Sequence, residues 1–428
     1  EFVNLRDIDV SKCNNLRKIC NLSRAINLES LNCSDCISLV ELGNEGDRTD
    51  FVNLRAIEVS NCKKLRKIPI LSRAIDLRYL NCSNCKSLVE PWNGDDCMLE
   101  FLRYLNLSGC PIEEVSLCNL QHLNMSGSAV KNVSIKLESL LELNLNGCPK
   151  VEVLSELPPD LKVLSVNDCT SLEKVSFADQ NLYQFDSLDD EFCIDHNLLM
   201  EFCNCFNLNQ ESTKNIEANA MLKIGSLAKK WAATYGRKYF RDKLPNLICC
   251  FPGNKISANK FKYGSLNSSL SLKISKNRGS GSRFLVFAIC LVANLAHRHD
   301  VVLRYICEYQ LTAAGGGNGG GGCENFSSEI FFDGFYKPNK YMGYHVFILS
   351  SINMVIEDKN YEEASFKFYI RILDLGREEY IKVERCGVHV FYVDKKSDSD
   401  ATEKRVAGNN RSFSHDGEEG DGGLKRLK

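Results

Sequence analysis

Twenty-one cysteines and seven histidines are the residues with which this chain could do metal or nucleophilic chemistry. Their spacing argues against both. Cys203-Asn-Cys205 and Cys249-Cys250 lack the paired C-x-x-C spacing of zinc sites. His297 and His299 form an i, i+2 pair at a strand end, and His345 and His389 lie in strand patterns, where core or edge packing is the ordinary role. There is no G-x-S-x-G, no H-E-x-x-H and no P-loop. The Gly-rich run at 313–329 is followed by no Gly-Lys-Ser/Thr and opens no helix, so it reads as a flexible linker. The expectation is a non-enzyme with no catalytic residue, no cofactor and no metal.

Seven of the cysteines (Cys13, Cys36, Cys62, Cys85, Cys110, Cys148, Cys169) recur at one position of a repeat. FVNLRDIDVSKCNNLRKI begins at Phe2 and FVNLRAIEVSNCKKLRKI at Phe51. Extended, the two copies agree at about 28 of 41 positions without a gap. Inside each copy the pattern is L-x-x-L-x-L-x-x-[NC]-x-x-L, as in Leu54, Ile57, Val59, Cys62 and Leu65. That is the template of a leucine-rich repeat, and it recurs about eight times up to Leu172. One such unit cannot bury its apolar edge, whereas a stack buries a continuous column. The cysteines are expected to pack inward as reduced thiols, which fits the cytoplasm or nucleus. The first repeat begins at Leu5 with neither cap nor initiator Met, so the chain reads as a piece of something longer.

Beyond the repeats the pattern changes. Residues 176–209 read as irregular. Ile216, Ala220, Ile224, Leu227, Trp231 and Tyr235 then form one apolar stripe at helical spacing, expected to pack on its own domain, with Glu217 and Lys223 mostly off it. From Leu247 the period is two: SSLSLKIS alternates, and FLVFAICLVA reads as a strand buried on both faces. Several short strands with no helix between them argue a β-sandwich or jelly roll. The boundaries read 1–178 for the repeats, 179–245 for a segment with the helix, 246–393 for the sandwich, and 394–428 for a charged, disordered tail. The fold class is an α/β leucine-rich-repeat solenoid followed by a mainly-β jelly-roll/immunoglobulin-like sandwich.

Binding is the chemistry left. Alternate residues of each repeat strand face the concave side. Two columns, one running Asp9, Asn32, Glu58, Asn81 and the other Ser11, Ser34, Ser60, Ser83, are small and polar and account for several Asn-x-Ser sequons. Hydration of the strand ends explains them as well as a ligand does. The third column runs Asp7, Ser30, Ala56, Tyr79, Tyr104, His122, Glu142, Val163. Tyr is enriched at binding hot spots, so Tyr79, Tyr104 and His122 lead, with Glu142, Asp7 and Glu58 beside them. Two sandwich loops add Lys276, Arg278 and Arg283, and Asn325 and Phe326. A formal net charge of −2, from 53 Lys and Arg against 55 Asp and Glu, suggests neither nucleic acid nor membrane as partner.

LRYLNLSGCPIEEV and LLELNLNGCPKVEVLSELPPDLKVLSVNDCTSLEKV resemble the repeats of plant TIR-type nucleotide-binding leucine-rich-repeat disease resistance proteins. EFCNCFNLNQES resembles the F-x-N-C-x-x-L segment that follows their repeats. CFPGNKISANKFKYGSLNSSLSLKI, RFLVFAICLV, YHVFI and IKVERCGVHVFYV resemble their C-terminal jelly-roll/immunoglobulin-like domain. Ser257, where the family tends to have Pro, and Tyr344, where an acidic residue is common, depart from the pattern. The resemblance implies recognition of a protein ligand, a pathogen effector or a host protein it modifies. It also implies upstream TIR and nucleotide-binding modules if the chain is part of a longer one. The alternative is a stand-alone scaffold or decoy that binds host proteins.

Overall fold

The computed structural model describes residues 4–19, 22, 25–42, 51–68, 71, 74–89, 99–113, 119–134, 139–159, 161–178, 197–235, 244–277, 281–299, 301–313, 322–332, 340–374 and 377–394. Ten parallel strands form one ladder: β1 (Asp7–Asp9), β2 (Ser30–Asn32), β3 (Ala56–Glu58), β4 (Tyr79–Asn81), β5 (Tyr104–Asn106), β6 (His122–Asn124), β7 (Glu142–Asn144), β8 (Val163–Ser165), β9 (Leu198–Glu201) and β10 (Leu247–Pro252). The middle residues Leu31, Ile57, Leu80, Leu105, Leu123, Leu143 and Leu164 are buried, as the template requires.

Each repeat turns at a residue in the left-handed region: Lys12, Asp35, Asn61, Asn84, Gly109, Gly127, Gly147, Asp168 and Asn204. Gly, Asn and Asp predominate there because they tolerate positive φ. The next residue is usually the repeat cysteine, and its thiol donates to a carbonyl of the preceding repeat. Cys36 reaches Val10 (3.0 Å), Cys62 reaches Cys33 (3.1 Å), Cys85 reaches Val59 (3.1 Å) and Cys110 reaches Cys82 (3.0 Å). Cys148 reaches Met125 and Cys169 reaches Leu145, both at 3.1 Å. Burial pushes the Cys110 thiol up to about 11 and Cys62 up to about 12, so both stay protonated donors at neutral pH.

The segment read as irregular contains a ninth repeat. Met200, Phe202 and Cys205 are buried where Leu164, Val166 and Cys169 stand one turn earlier. Asn204 makes the turn, and Cys205 donates to the Val166 carbonyl at 2.8 Å.

β10 joins two architectures. Along one edge it runs parallel to β9; along the other it pairs antiparallel with β16. The strands that follow β10 in the chain are β11 (Tyr263–Ser265), β12 (Ser269–Lys273), β13 (Arg283–Asn294), β14 (Val302–Ala313), β15 (Cys323–Phe332), β16 (Tyr344–Ser350), β17 (Val355–Glu357), β18 (Tyr361–Asp374), β19 (Arg377–Ile381) and β20 (Val383–Asp394). The ladder sheet continues β10-β16-β13-β20-β11, with β17 on β13. A second sheet runs β12-β18-β14-β15, with β19 on β18.

Helix α1 (Gln210–Thr234) covers one face of the extended sheet. Asn209 caps it, its Oδ1 accepting from the Ser212 amide at 2.8 Å. Of the expected stripe, Ile216, Ala220, Ile224, Leu227 and Trp231 are buried, whereas Tyr235, the residue after the last helical turn, is exposed. So are Glu217 and Lys223, expected off the stripe; Lys223 Nζ donates to the Leu161 carbonyl. Val286, Ala288, Cys290 and Val292 of β13 join the core on the helix side, and Leu285, Phe287, Ile289 and Leu291 join the core between the sheets. The unbroken apolar run of β13 thus serves two cores.

Candidate recognition surface

The repeat register sets Tyr79, Tyr104, His122 and Glu142 side by side on consecutive strands. Neighbouring parallel strands lie about 4.8 Å apart, so side chains on one face must touch. The Tyr79 and Tyr104 rings stack, with centroids 4.7 Å apart and planes 9° from parallel. The His122 ring follows at 6.1 Å from Tyr104, and its Nδ1 lies 3.0 Å from Glu142 Oε2. At the other end the Tyr79 hydroxyl donates to Glu58 Oε2 at 3.2 Å. Asn81 Nδ2 holds the same oxygen at 2.9 Å, and the Ser60 amide donates to Oε1 at 3.0 Å. Burial, then the Glu58 charge, pushes the Tyr79 phenol up to about 12. Burial raises Tyr104 as well. Both therefore present neutral hydroxyls at physiological pH. A cleft of about 30 Å³ opens between Tyr104, His122 and Glu142, room for one water.

Five of the expected contact residues thus form one continuous row: Glu58, Tyr79, Tyr104, His122 and Glu142. Asp7 stands in the same column but three strands from Tyr79, beyond the short Ser30 and Ala56. The Asn column has a structural job. Asn32, Asn81, Asn106, Asn124 and Asn144 each accept, through Oδ1, the amide two residues on at 3.0 Å. These local bonds turn the chain out of each strand.

The sandwich residues divide. Arg283 is not a surface contact: its side chain is buried, 2.5 Å from the fully buried Asp358, and donates to the Ser275 carbonyl. It opens β13 instead of ending a loop, and it braces the segment before it. Lys276 is exposed and paired with Glu362 at 3.0 Å, and Arg278 lies outside the described residues. Asn325 and Phe326, expected in a loop, lie within strand β15 of the second sheet. Gln310 Nε2 donates to Asn325 Oδ1 at 3.0 Å, and Phe326 stacks on Tyr309 at 5.1 Å. The structure therefore gives two separate polar surfaces, the concave row and this part of the second sheet.

Sequence reasoning passed over the arginines. Arg78 and Arg103 directly precede Tyr79 and Tyr104; Arg78 is exposed, and Arg55 and Arg78 share Asp76 at 3.4 and 3.3 Å. The recurrent L-R before the strand (NLRAI, DLRYL, FLRYL) was the available signal. Among the described residues no group of three or more His, Cys, Asp or Glu is placed to hold a metal ion. No described helix is long and apolar enough to cross a membrane.

No protein-family model matches the chain. Disease resistance-like protein DSC1 of Arabidopsis thaliana is 23% identical over 69% of this chain and 25% of its own length. Disease resistance protein RPS4B of the same plant is 24% identical over 72% of this chain and 28% of its own length. Disease resistance protein RML1B is 34% identical over 50% of this chain and 22% of its own. The chain spans about a quarter of the length of the curated relatives it matches. Among solved structures, the leucine-rich-repeat protein LIC12759 of Leptospira interrogans matches 42% of this chain and 79% of its own. That match has 14% identity and a TM-score of 0.16, too low to bear on the fold. By sequence, the chain is homologous to part of the plant disease resistance proteins, the TIR-type nucleotide-binding leucine-rich-repeat class that its repeats resemble.

Proposed function

We propose that this chain is the recognition part of a plant intracellular immune receptor, and that its concave row binds a protein ligand, a pathogen effector or a host protein the effector has modified. The observation that carries the reading is the row itself. Two stacked tyrosines with neutral hydroxyls lie between a carboxylate held by three donors and a His–Glu pair. Packed rings lose little conformational entropy on binding, and Tyr anchors concentrate binding energy. The row is already assembled, so a partner need not order it. The jelly-roll/immunoglobulin-like domain would contribute through its own surface, and signalling would fall to TIR and nucleotide-binding modules on a longer chain. The ligand class is protein, with no nucleic acid, and the site of action is the cytoplasm or nucleus.

The test is co-immunoprecipitation of the full chain against a collection of pathogen effectors, followed by titration of the partner recovered. Tyr104→Ala is expected to weaken that partner by about 1 to 3 kcal/mol, with Tyr79→Ala close behind. A partner whose affinity survives both substitutions overturns the assignment of the row. A partner set drawn from host proteins alone favours a scaffold or decoy.

A further inference from the structure

Strand β15 closes the second sheet on one side, and its far edge is the longest continuous open edge of the sandwich among the described residues. The Ala313 amide donates to the Gly322 carbonyl at 3.0 Å. In an antiparallel pair such directly bonded residues recur at every second position. Glu324, Phe326, Ser328, Ile330 and Phe332 therefore bond β14. Cys323, Asn325, Ser327, Glu329 and Phe331 turn amide and carbonyl the other way, where no described residue meets them. Proteins commonly guard such an edge with a short strand, a Lys, a Pro or a bulge. β15 has ten residues, no Lys, no Pro and no register shift against β14. Its two carboxylates are already paired, Glu324 with Lys359 at 2.8 Å and Glu329 with Arg304 and Arg371 at 3.1 and 3.2 Å. The sheet's other edge strands, β12 and β19, have five residues each and carry Lys273 and Arg377.

The open edge lies on the concave side. Glu142, Val163, Leu199 and Ile248 continue the column of Tyr104 and His122 across β7 to β10. Ile248 belongs to the core between the two sheets. The concave face of the solenoid and the inner face of the sandwich are thus one surface. Phe366 of β18 packs on Phe287 of β13, and Tyr305 of β14 on Phe347 of β16, both at 5.1 Å. From β18 through β14 to β15 the second sheet therefore advances toward β10 and the solenoid. Its open edge stops there, above the ladder. A second copy pairing edge to edge would bring its own first sheet into the space that the solenoid fills. A single extended segment meets no such obstacle. Beside β15 its backbone would bond Asn325, Ser327 and Glu329. Every second side chain would point toward the ladder, where Leu199 is only partly buried at the margin of the core. We infer that an extended segment of the protein ligand pairs with β15 as a further strand of the second sheet. This rests on the reading of the concave face as protein-binding and names how the ligand is held. Main-chain bonds supply the affinity, and the segment alternates apolar residues toward the ladder with polar ones beside Ser327.

Panning a phage-displayed library of random dodecapeptides on the full chain tests this, with hydrogen exchange resolved by residue as the readout. Enriched peptides should alternate apolar and polar residues. Bound, they should slow exchange at the Asn325, Ser327 and Glu329 amides about tenfold, the share of one hydrogen bond, and leave Phe326 and Ser328 unchanged. Ser327→Pro removes an outward donor and no bond to β14, so the circular dichroism should match the parent while the peptide binds about tenfold more weakly. Should that variant fail to fold, the alternating exchange pattern of the parent decides alone. The absence of any enriched peptide overturns the inference. So does a peptide that leaves the three amides unprotected, or one whose affinity survives Ser327→Pro in a folded chain. Protection of the same amides in the chain alone, with a dimer in sedimentation, overturns it in favour of a second copy. Tyr104→Ala should bind the same peptides, so a failed edge and a failed tyrosine row give different results.

Discussion

Asp9 and Glu201 stand in one column of the same parallel ladder, on its first and ninth strands, linked strand by strand through Asn32, Glu58, Asn81, Asn106, Asn124, Asn144 and Ser165. Both carry a carboxyl, and their environments drive them in opposite directions. Asp9 is exposed, and hydrogen bonds from Ser11, hydroxyl first and amide second, hold its carboxyl below the ordinary value. Glu201 is fully buried at the junction with the sandwich. It accepts the Ser165 hydroxyl at 2.5 Å and the Asn167 amide at 3.3 Å, and its Oε1 has no partner among the described residues. Burial outweighs those two bonds and pushes it up to about 7. The same contrast runs through the core. Ile8, Val10, Leu16 and Ile19 are only partly buried, and Cys13 is exposed. Their identical counterparts in the second copy, Ile57, Val59, Leu65, Ile68 and Cys62, are sealed. Residue type is constant between the copies, so the difference comes from neighbours: a solenoid position is sealed by repeats packed on both sides of it, and among the described residues the first copy has one on one side alone.

The largest effect should come from truncating one leucine in both copies. Leu65→Ala removes a fully buried side chain and leaves a cavity, so it should cost about 3 kcal/mol, within the range for buried Leu→Ala. Leu16→Ala, at the equivalent place in the open repeat, should cost about 1 kcal/mol because water already reaches that side chain. Urea midpoints, with slopes compared to check that the transition stays cooperative, measure both. Equal costs would break the comparison, since they would mean that the first repeat is sealed in solution.

The next effect is a pH slope at the closed end. Glu201 rises from an ordinary 4.5 in the unfolded chain to about 7 in the fold. The folded state therefore holds a proton that the unfolded state releases between those values. Stability from this group is complete below about pH 4.5, declines as pH rises through 7, and is flat above that. The amplitude is about 3 kcal/mol, because each tenfold change in proton affinity is worth about 1.4 kcal/mol. Glu201→Gln keeps the shape without the charge, so it should flatten the melting temperature between pH 5 and 8 and be the more stable protein at pH 8. An unchanged slope in that variant would place the titration elsewhere.

The open–closed contrast also marks where the sequence was legible. The Leu column, the turn cysteines and the tyrosine row follow from one short period, and period survives any neighbour. The ninth repeat was missed because more than twenty residues separate it from Val175, and because Met200 and Phe202 stand where Leu and Val are usual. Arg283 looked like a loop cation, because a sequence does not show that Asp358, 75 positions on, meets it in the core. Asn325 and Phe326 looked like loop because Ser328 faces inward between Phe326 and Ile330 and blurs the alternation of β15. Burial of a polar residue depends on partners distant in sequence, and that is the information that local pattern lacks. Lys223 and Glu217 on α1 make the same point: a helical stripe foretells the apolar residues within the helix and not the charged ones that partners distant in sequence cover.

The smallest effect belongs to Asp9, and its sign is the sharper test. A lowered carboxyl contributes stability above its unfolded value and loses it as pH falls through the folded one, the reverse of Glu201. Asp9→Asn keeps an acceptor for the Ser11 amide, so it should soften the acid-side decline below about pH 4 and leave the neutral range untouched. Exposed hydrogen-bonded charges are screened by water and salt, so the softening should be small beside the Glu201 slope and shrink further in 1 M salt, where the screening length is about 3 Å. Acid titration of the wild type and both variants, at low and high salt, separates the two carboxyls. If Asp9→Asn shifted the neutral range, or matched Glu201→Gln in size, the first strand would have to be covered in solution. The exposure of Cys13 and the partial burial of Ile8 and Val10 would then describe a face that something else closes.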